Sequence, residues 1–499
     1  MNQPNDKSDF AGNFSAIALP QFPVDPFLQA LYNHTGNQLL TGGAETMEFI
    51  DRYFGIQASG SNFRRECIGG ITTFATMSYI IFVQPTVLSM AGMNFGAVLV
   101  ATCLSSALGC LYMGLIARYP FGLAPGMGEN FLFAFTIVMA MKFSWQAGLA
   151  IVFISGVLFL LLSIFRTREK VLEIFPACLK NSIGPAIGLF IGFIGLQWGG
   201  VVVLSPATMV SLGSLKHGAP LLCLFGVILI AAMMAWNFRG AILAGILITA
   251  GLGLATGVIP FEWKTTPLST ETMFQLNFTE LITRWQDALV AIGLFFFLIL
   301  FDTVGTLVGV GTQAGFVTPE GKIPRAGHAF FSDALATCTG ALLGTSTVTA
   351  YIESATGVAA GARTGLAAIV AAICFVAALA FAPLIAIAGH NIGPDYYAAL
   401  GIQNSFVAMY PAVAPALIVV GLLMLAPLRN IQWSDITESL PAYLTVAMMI
   451  FGYGITEGIA AGCVSYAMIK LLAGRGREVH PLMYFVAAAF AFRYACLMQ

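Results

Sequence analysis

The sequence predicts an all-α polytopic membrane protein with about 14 transmembrane segments, arranged as a seven-plus-seven inverted repeat. Three observations predict it. Of 499 residues, 58% are hydrophobic and 9% charged, with a mean hydropathy of +0.86, whereas soluble domains carry roughly 25% charged residues. The basic residues are lopsided. With the N-terminus inside, Lys142, Lys216, Lys264 and Arg284 fall outside and the remaining 18 of the 22 Lys and Arg fall inside, the side that cytoplasmic loops favour. Finally, two segments that cannot continue a helix fall in the third and tenth spans, and an odd offset of seven gives them opposite orientations. The same composition excludes a soluble enzyme and a disordered chain. A net charge of -1 leaves no basic footprint for nucleic acid.

Residues 1–62 are polar and mixed, with Pro20, Pro23 and Pro26. They contain no apolar run of signal-peptide length and are expected to form a partly disordered cytoplasmic extension. From Cys67 to Ala117 no residue is charged. A helix needs roughly 20 apolar residues to cross the bilayer core, so this stretch holds two spans, centred near Tyr79 and Ser106. The third is centred near Phe133 and the fourth near Gly156. Spans five to seven centre near Leu189, Ile228 and Ile246. An outer loop, residues 263–285, leads to spans near Leu298 and Ala334, then to a tenth near Ser354 and an eleventh near Phe375. The twelfth centres near Val419. Pro441 to Leu472 divides into two short spans, near Met448 and Val464, because only that division keeps Lys470, Arg475 and Arg477 inside. Leu482 to Ala495 is then an interfacial helix in the cytoplasmic tail. The nine cysteines form no CxxC pair and read as small buried hydrophobes; no metal site is expected.

The first break contains Pro120, Gly122, Pro125, Gly126 and Gly128, which no helix propagates through. The second, residues 344–357, is rich in Thr, Val, Tyr and Ile, which suit an extended strand. Unpaired backbone is tolerated at membrane depth only inside protein or along a cavity. Each break is therefore expected to be an extended stretch followed by a half-helix, the two meeting near the midplane with their positive ends facing.

Acids inside a membrane cost on the order of 2.5–3.5 kcal/mol each at a helix centre and default to functional candidates. Asp302 lies in the eighth span with no basic residue beside it in sequence, and Glu353 lies at the break of the tenth. Asn130 occupies the matching position in the third span and offers both donors and an acceptor. Thr349 and Ser354 flank Glu353 and join it as candidate ligand contacts. Phe131 and Phe301 adjoin Asn130 and Asp302 as apolar or stacking walls. Glu129 is a further coupling candidate, Asp333 is expected to brace the core through Ser or Thr partners, and His328 is expected as a hydrogen-bonded structural histidine two turns into the ninth span. A carboxyl shielded from water disfavours its charged form. A pair of such acids can donate and accept hydrogen bonds to a flat heterocycle and link its binding to a proton.

At these residues the chain resembles the nucleobase–cation symporter family, in its AzgA-like branch. The resemblance spans roughly Asn62 to Arg493. It rests on Arg64-Arg-Glu-Cys-Ile-Gly-Gly-Ile-Thr-Thr-Phe74, Ala124-Pro-Gly-Met-Gly128 with Asn130, Phe301-Asp-Thr-Val-Gly-Thr-Leu307, Gly344-Thr-Ser-Thr-Val-Thr-Ala-Tyr-Ile-Glu-Ser-Ala355 and Arg363-Thr-Gly365. It implies a proton-coupled importer of purine nucleobases (hypoxanthine, guanine, adenine) working by elevator-type alternating access, with no cofactor beyond a coupling proton. It also implies short antiparallel strands in spans three and ten. A core domain (residues 63–168 and 286–390) would move against a gate domain (residues 169–262 and 391–473) that forms a homodimer in the cell membrane. Residues 474–499 form the cytoplasmic tail. Asp302 and Glu353 fall on the family's substrate-binding acids and Asn130 on its polar residue in span three. Phe131 stands where a small residue is usual, Glu129 where an apolar one is common, and Gly361-Ala-Arg363 replaces Gly-Gly-Arg. The alternative is a transporter of the same fold for xanthine or uracil, or for an anion. No HExxH, GxSxG or phosphate-binding loop points to an enzyme.

Overall fold

The computed structural model describes residues 48, 50–165, 176–205, 208–216, 218–260, 267–316, 323–389, 392 and 409–496. Most of the N-terminal extension and the charged residues Arg166, Arg168, Lys170, Lys264 and Lys322 lie outside the described residues. The chain divides into two units at Gly55. In the first, Arg52 pairs with Glu48 one helical turn away, both well exposed.

The second unit begins with α1 (Phe63–Met77) and α2 (Ile80–Met90). Asn62 caps α1 by accepting from Arg65 N–H. These two helices fill the place of the first expected span, so its centre is interrupted at Ser78 and Tyr79. The hydroxyls of Thr72, Thr76 and Ser78 all bond back to carbonyls three or four residues earlier, which loosens and bends helices. Next come α3 (Phe95–Tyr112), which widens into a π-helical turn at Met113–Ala117, then β1 (Leu123–Pro125) and α4 (Met127–Phe131), itself continued by a π-helical stretch at Leu132–Ala140. Helices α5 (Trp145–Phe165) and α6 (Ala177–Trp198) are long and apolar. A hairpin, β2 (Val202–Ser205) and β3 (Met209–Leu212), precedes α7 (Gly218–Ala235) and α8 (Ala241–Ala255).

The second half runs α9 (Phe278–Thr283), α10 (Trp285–Gln313), α11 (Ala326–Leu343), β4 (Val348–Ala350), α12 (Ser354–Ala359), α13 (Gly365–Ala378) and α14 (Ala382–Ala388). It ends with α15 (Ala414–Leu423), α16 (Ile436–Phe451), α17 (Ile455–Leu472) and α18 (Pro481–Cys496). Among the described residues, eight helical stretches are long and apolar enough to cross a membrane, and five shorter apolar ones accompany them.

The helices pack in two sets. In one, α13 packs on both α1 and α3, α11 lies between α3 and α5, and α10 lies on α5. In the other, α6 packs on α15 and α16, α16 on α17, and α7 on α8 and α15. Small residues let backbones touch. Gly365 at the start of α13 faces the Gly114 carbonyl, and Gly421 of α15 faces that of Gly188 in α6; neither site has room for a Cβ. At one end of the second set, Lys470 is 1% exposed and pairs with Glu438 at 2.7 Å and Glu478 at 2.9 Å, while Arg475 reaches Asp435 and Glu478, each at 2.7 Å.

Candidate functional site

The two broken elements are joined by backbone. Strands β1 and β4 run antiparallel, with Leu123 opposite Ala350, Ala124 opposite Thr349 and Pro125 opposite Val348. The ladder extends at both ends, from Gly126 N–H to the Thr347 carbonyl and from Tyr351 N–H to the Gly122 carbonyl, both 3.0 Å. Pro125 closes its own strand, where its missing N–H is least missed. The Tyr351 hydroxyl donates to the Pro125 carbonyl, and Gly122 N–H donates to Ser354 Oγ at 3.0 Å. Half-helix α4 leaves from β1 and α12 leaves from the turn after β4.

Around this ladder stand the acids. Asp302, on α10, accepts from Thr349 Oγ1 at 2.9 Å. Asp333, on α11, is fully buried and takes the Ala350 N–H at 2.8 Å and the Thr303 hydroxyl at 2.5 Å. It braces β4 against α10. Glu353 sits at the cap position of α12 and accepts from the Tyr79 hydroxyl at 2.7 Å. Helix α10 packs on α12, so the element carrying Asp302 lies against the one carrying Glu353. Both residues remain partly exposed, whereas Glu129, Asn130 and Asp333 are buried. That contrast decides which acids are reachable by a solute without rearrangement.

Asn130 donates from Nδ2 to Gln84 Oε1 at 2.8 Å, and Gln84 Nε2 donates to Thr345 Oγ1 and Ser346 Oγ at 2.8 and 2.9 Å. Asn130 Oδ1, Glu129 Oε1 and Thr347 Oγ1 are buried with no partner among the described residues. Glu129 folds its carboxyl back over Gly126, leaving no room for a Cβ there, at the end of the half-helix where an acid suits the helix dipole. Ser354 is spent on Gly122. Phe131 is fully buried, stacked on Phe135 at 5.7 Å and set against Phe190 and Trp198. Its ring is held among aromatic rings on the α6 side. The side chain of Phe301 lies outside the described residues.

Two residues with site contacts escape sequence reasoning. Tyr79 and Gln84 both belong to the interrupted first span, and each touches a residue singled out above. His328 differs from expectation: it lies exposed in the first turn of α11. Arg325 adopts a left-handed conformation, φ 55°, and so delays the helix start to Ala326.

Comparison with known proteins gives a consistent picture. A model described as a permease family matches residues 64–390. The guanine/hypoxanthine permease PbuG of Bacillus subtilis (strain 168) is 41% identical over 459 residues, covering 89% of this chain and 99% of its own. The adenine permease AdeP of Escherichia coli (strain K12) is 40% identical, covering 89% of this chain and 95% of its own. Among solved structures, the transmembrane domain of the cyanobacterial bicarbonate transporter BicA superposes with a TM-score of 0.58 at 12% identity, over 80% of this chain and 98% of that one. At that identity the likeness concerns fold alone.

Proposed function

The chain belongs to this permease family, the nucleobase–cation symporters, in its AzgA-like branch, and on that premise we propose that it imports purine nucleobases coupled to protons. It is a multi-pass membrane transporter rather than an enzyme. One observation carries the proposal. Asp302 and Glu353, contributed by packed elements, are partly exposed beside the β1–β4 ladder, and each accepts a hydroxyl from the protein. A purine presents N–H donors and ring acceptors along one flat edge. A carboxylate accepts from the former, and a protonated carboxyl donates to the latter. Uptake of the proton and of the base are thereby linked at one place. Asn130 and Thr349 complete the polar wall, Ser354 fixes its backbone, Phe131 and Phe301 supply apolar surface, and Glu129 is a reserve proton acceptor.

The remainder of the mechanism follows from the two helix sets. The set built on α1–α5 and α10–α14 acts as the core, residues 63–168 and 286–390, and carries the whole ladder. The set built on α6–α8 and α15–α17 acts as the gate, residues 169–262 and 391–473. Packing is dense within each set and sparse between them, which favours elevator-type movement of one against the other. We read 14 crossings, with α11 as the ninth, β4 and α12 as the tenth and α18 lying at the cytoplasmic interface, and with both termini cytoplasmic in the cell membrane. Leu221, Phe225 and Ile228 on α7 and Ile248 on α8 are exposed and suit a homodimer through the gate, bordered by lipid.

The test is uptake of radiolabelled hypoxanthine by cells lacking their own purine carriers, with adenine, guanine, xanthine, uracil and bicarbonate as competitors and a protonophore as control. Saturable uptake, competed by purines and collapsed by the protonophore, is expected. No uptake of any purine would refute the assignment. Competition by uracil or bicarbonate alone would favour another substrate on the same fold.

A further inference from the structure

We infer that the interrupted first span is a third arm of the site, with Tyr79 and Gln84 as positioning residues for Glu353 and Asn130; this rests on the purine-transport assignment above. The sequence separations are large, 274 positions between Tyr79 and Glu353 and 46 between Gln84 and Asn130. One short segment of the chain therefore reaches both broken elements.

Tyr79 sits where the helix is broken, between Met77 and Ile80. Its ring is 1% exposed and lies 6.3 Å from that of Tyr351. Burial of the ring fixes the direction of the hydroxyl, and the hydroxyl fixes one oxygen of Glu353. A side chain at the end of a six-residue half-helix otherwise has several rotamers, each a different presentation to a ligand. The break sets the place of the phenol.

Gln84 acts on the other element. It is fully buried, and both ends of its amide are used: the oxygen by Asn130, the nitrogen by the hydroxyls of Thr345 and Ser346 just before β4. The amide therefore ties half-helix α4 to the approach of β4. With its NH2 committed to Gln84, Asn130 has Oδ1 left without a partner among the described residues. A buried acceptor left open costs stability, and a ligand N–H is the natural partner. In this arrangement neither Tyr79 nor Gln84 needs to touch the base; they decide how Glu353 and Asn130 meet it.

The experiment measures KM, Vmax and membrane abundance for hypoxanthine uptake in Tyr79→Phe and Gln84→Met, with Tyr119→Phe as control. The control loses a hydroxyl-to-carbonyl bond, to Pro324, in the same helix set with no acid involved. A hydrogen bond to a carboxyl, as from Tyr79, matters by about tenfold or somewhat more, and a buried amide left unpaired, as after the loss of Gln84, by a similar factor. Expected is a rise of about tenfold in KM for both variants, with abundance and Vmax within twofold of wild type and the control unchanged. Unchanged KM in both, or a loss confined to abundance or Vmax, would overturn the inference, because a purely structural role acts on those quantities. Should Tyr79→Phe fail to reach the membrane, Gln84→Met carries the test. Absence of hypoxanthine uptake in wild type is a different result; it would overturn the purine assignment and this inference with it.

Discussion

Replacing Asp333 separates the brace from the site it supports. Asp333 joins two elements through two oxygens, the Ala350 N–H of β4 on one and the Thr303 hydroxyl of α10 on the other. Asp333→Ala removes both acceptors at once. The Ala350 N–H cannot turn away, since Ala350 is held opposite Leu123 in the ladder, whereas the Thr303 hydroxyl can rotate to a carbonyl of its own helix. Leaving the buried Ala350 N–H unpaired costs about 1–3 kcal/mol and each lost bond about 0.5–1.5, so alanine should cost roughly 2–4 kcal/mol once the freed hydroxyl has rotated. Asp333→Asn keeps the shape, keeps an oxygen for Ala350 and offers an NH2 to the threonine oxygen; it should cost about 1 kcal/mol. The assay is monodispersity after graded heating in detergent, paired with uptake. The alanine variant should lose heat resistance and uptake together, because β4 also carries Thr349 and its bond to Asp302. The asparagine variant should keep most of both. Wild-type heat resistance in the alanine variant, or equal damage in the two, would refute the bracing argument.

Glu353→Ala should abolish purine uptake while membrane abundance, read by immunoblot, stays near normal; wild-type uptake would remove Glu353 from the site. Asp302→Asn should lower uptake by tenfold or more or free it from the proton gradient, and an unaltered response to a protonophore would deny Asp302 a coupling role. Arg475, then Thr437, holds the Asp435 carboxyl below the usual carboxylate range. Arg475, then Lys470, lowers that of Glu478 to about 2. Carboxyls depressed in the folded state stabilise it above their unfolded value, about 4, and that contribution fades as pH falls through the folded value. The stability gap between wild type and Arg475→Gln should therefore be flat from roughly pH 5 to 8 and narrow steadily below about 4, still narrowing past 2 because the Asp435 carboxyl lies lower than that of Glu478, as followed by thermal unfolding; a gap as wide at about pH 2 as at neutral pH would contradict it.

Much of the candidate site was legible in the sequence because it violates its surroundings. Pro120, Gly122, Pro125 and Gly126 announce that no helix runs there, and β1 occupies that place. Asp302 and Glu353 stand out as acids in apolar runs. Tyr79 and Gln84 do not, since tyrosine and glutamine are unremarkable in a membrane helix, and the break at Ser78–Tyr79 contains neither proline nor glycine. It follows a run of hydroxyls bonding backwards, which favours a bend and which composition does not separate from ordinary polar helix positions. Adjacency also misled for Phe131, which follows Asn130 in sequence but packs on Phe135, Phe190 and Trp198. Neighbours along a half-helix point roughly 100° apart, so being next to a polar residue says little about sharing its partners.

The ladder also bears on how the chain is made. Residues 123–125 leave the ribosome more than two hundred residues ahead of residues 348–350, their only strand partners in the ladder. During synthesis the early strand must wait with unmatched amide and carbonyl groups, which hydrocarbon does not tolerate. It follows that the nascent chain keeps this stretch in water, in the insertion machinery or against earlier helices until the later strand emerges. A chain truncated before Val348 should then be a substrate for membrane quality control, however well its first helices insert.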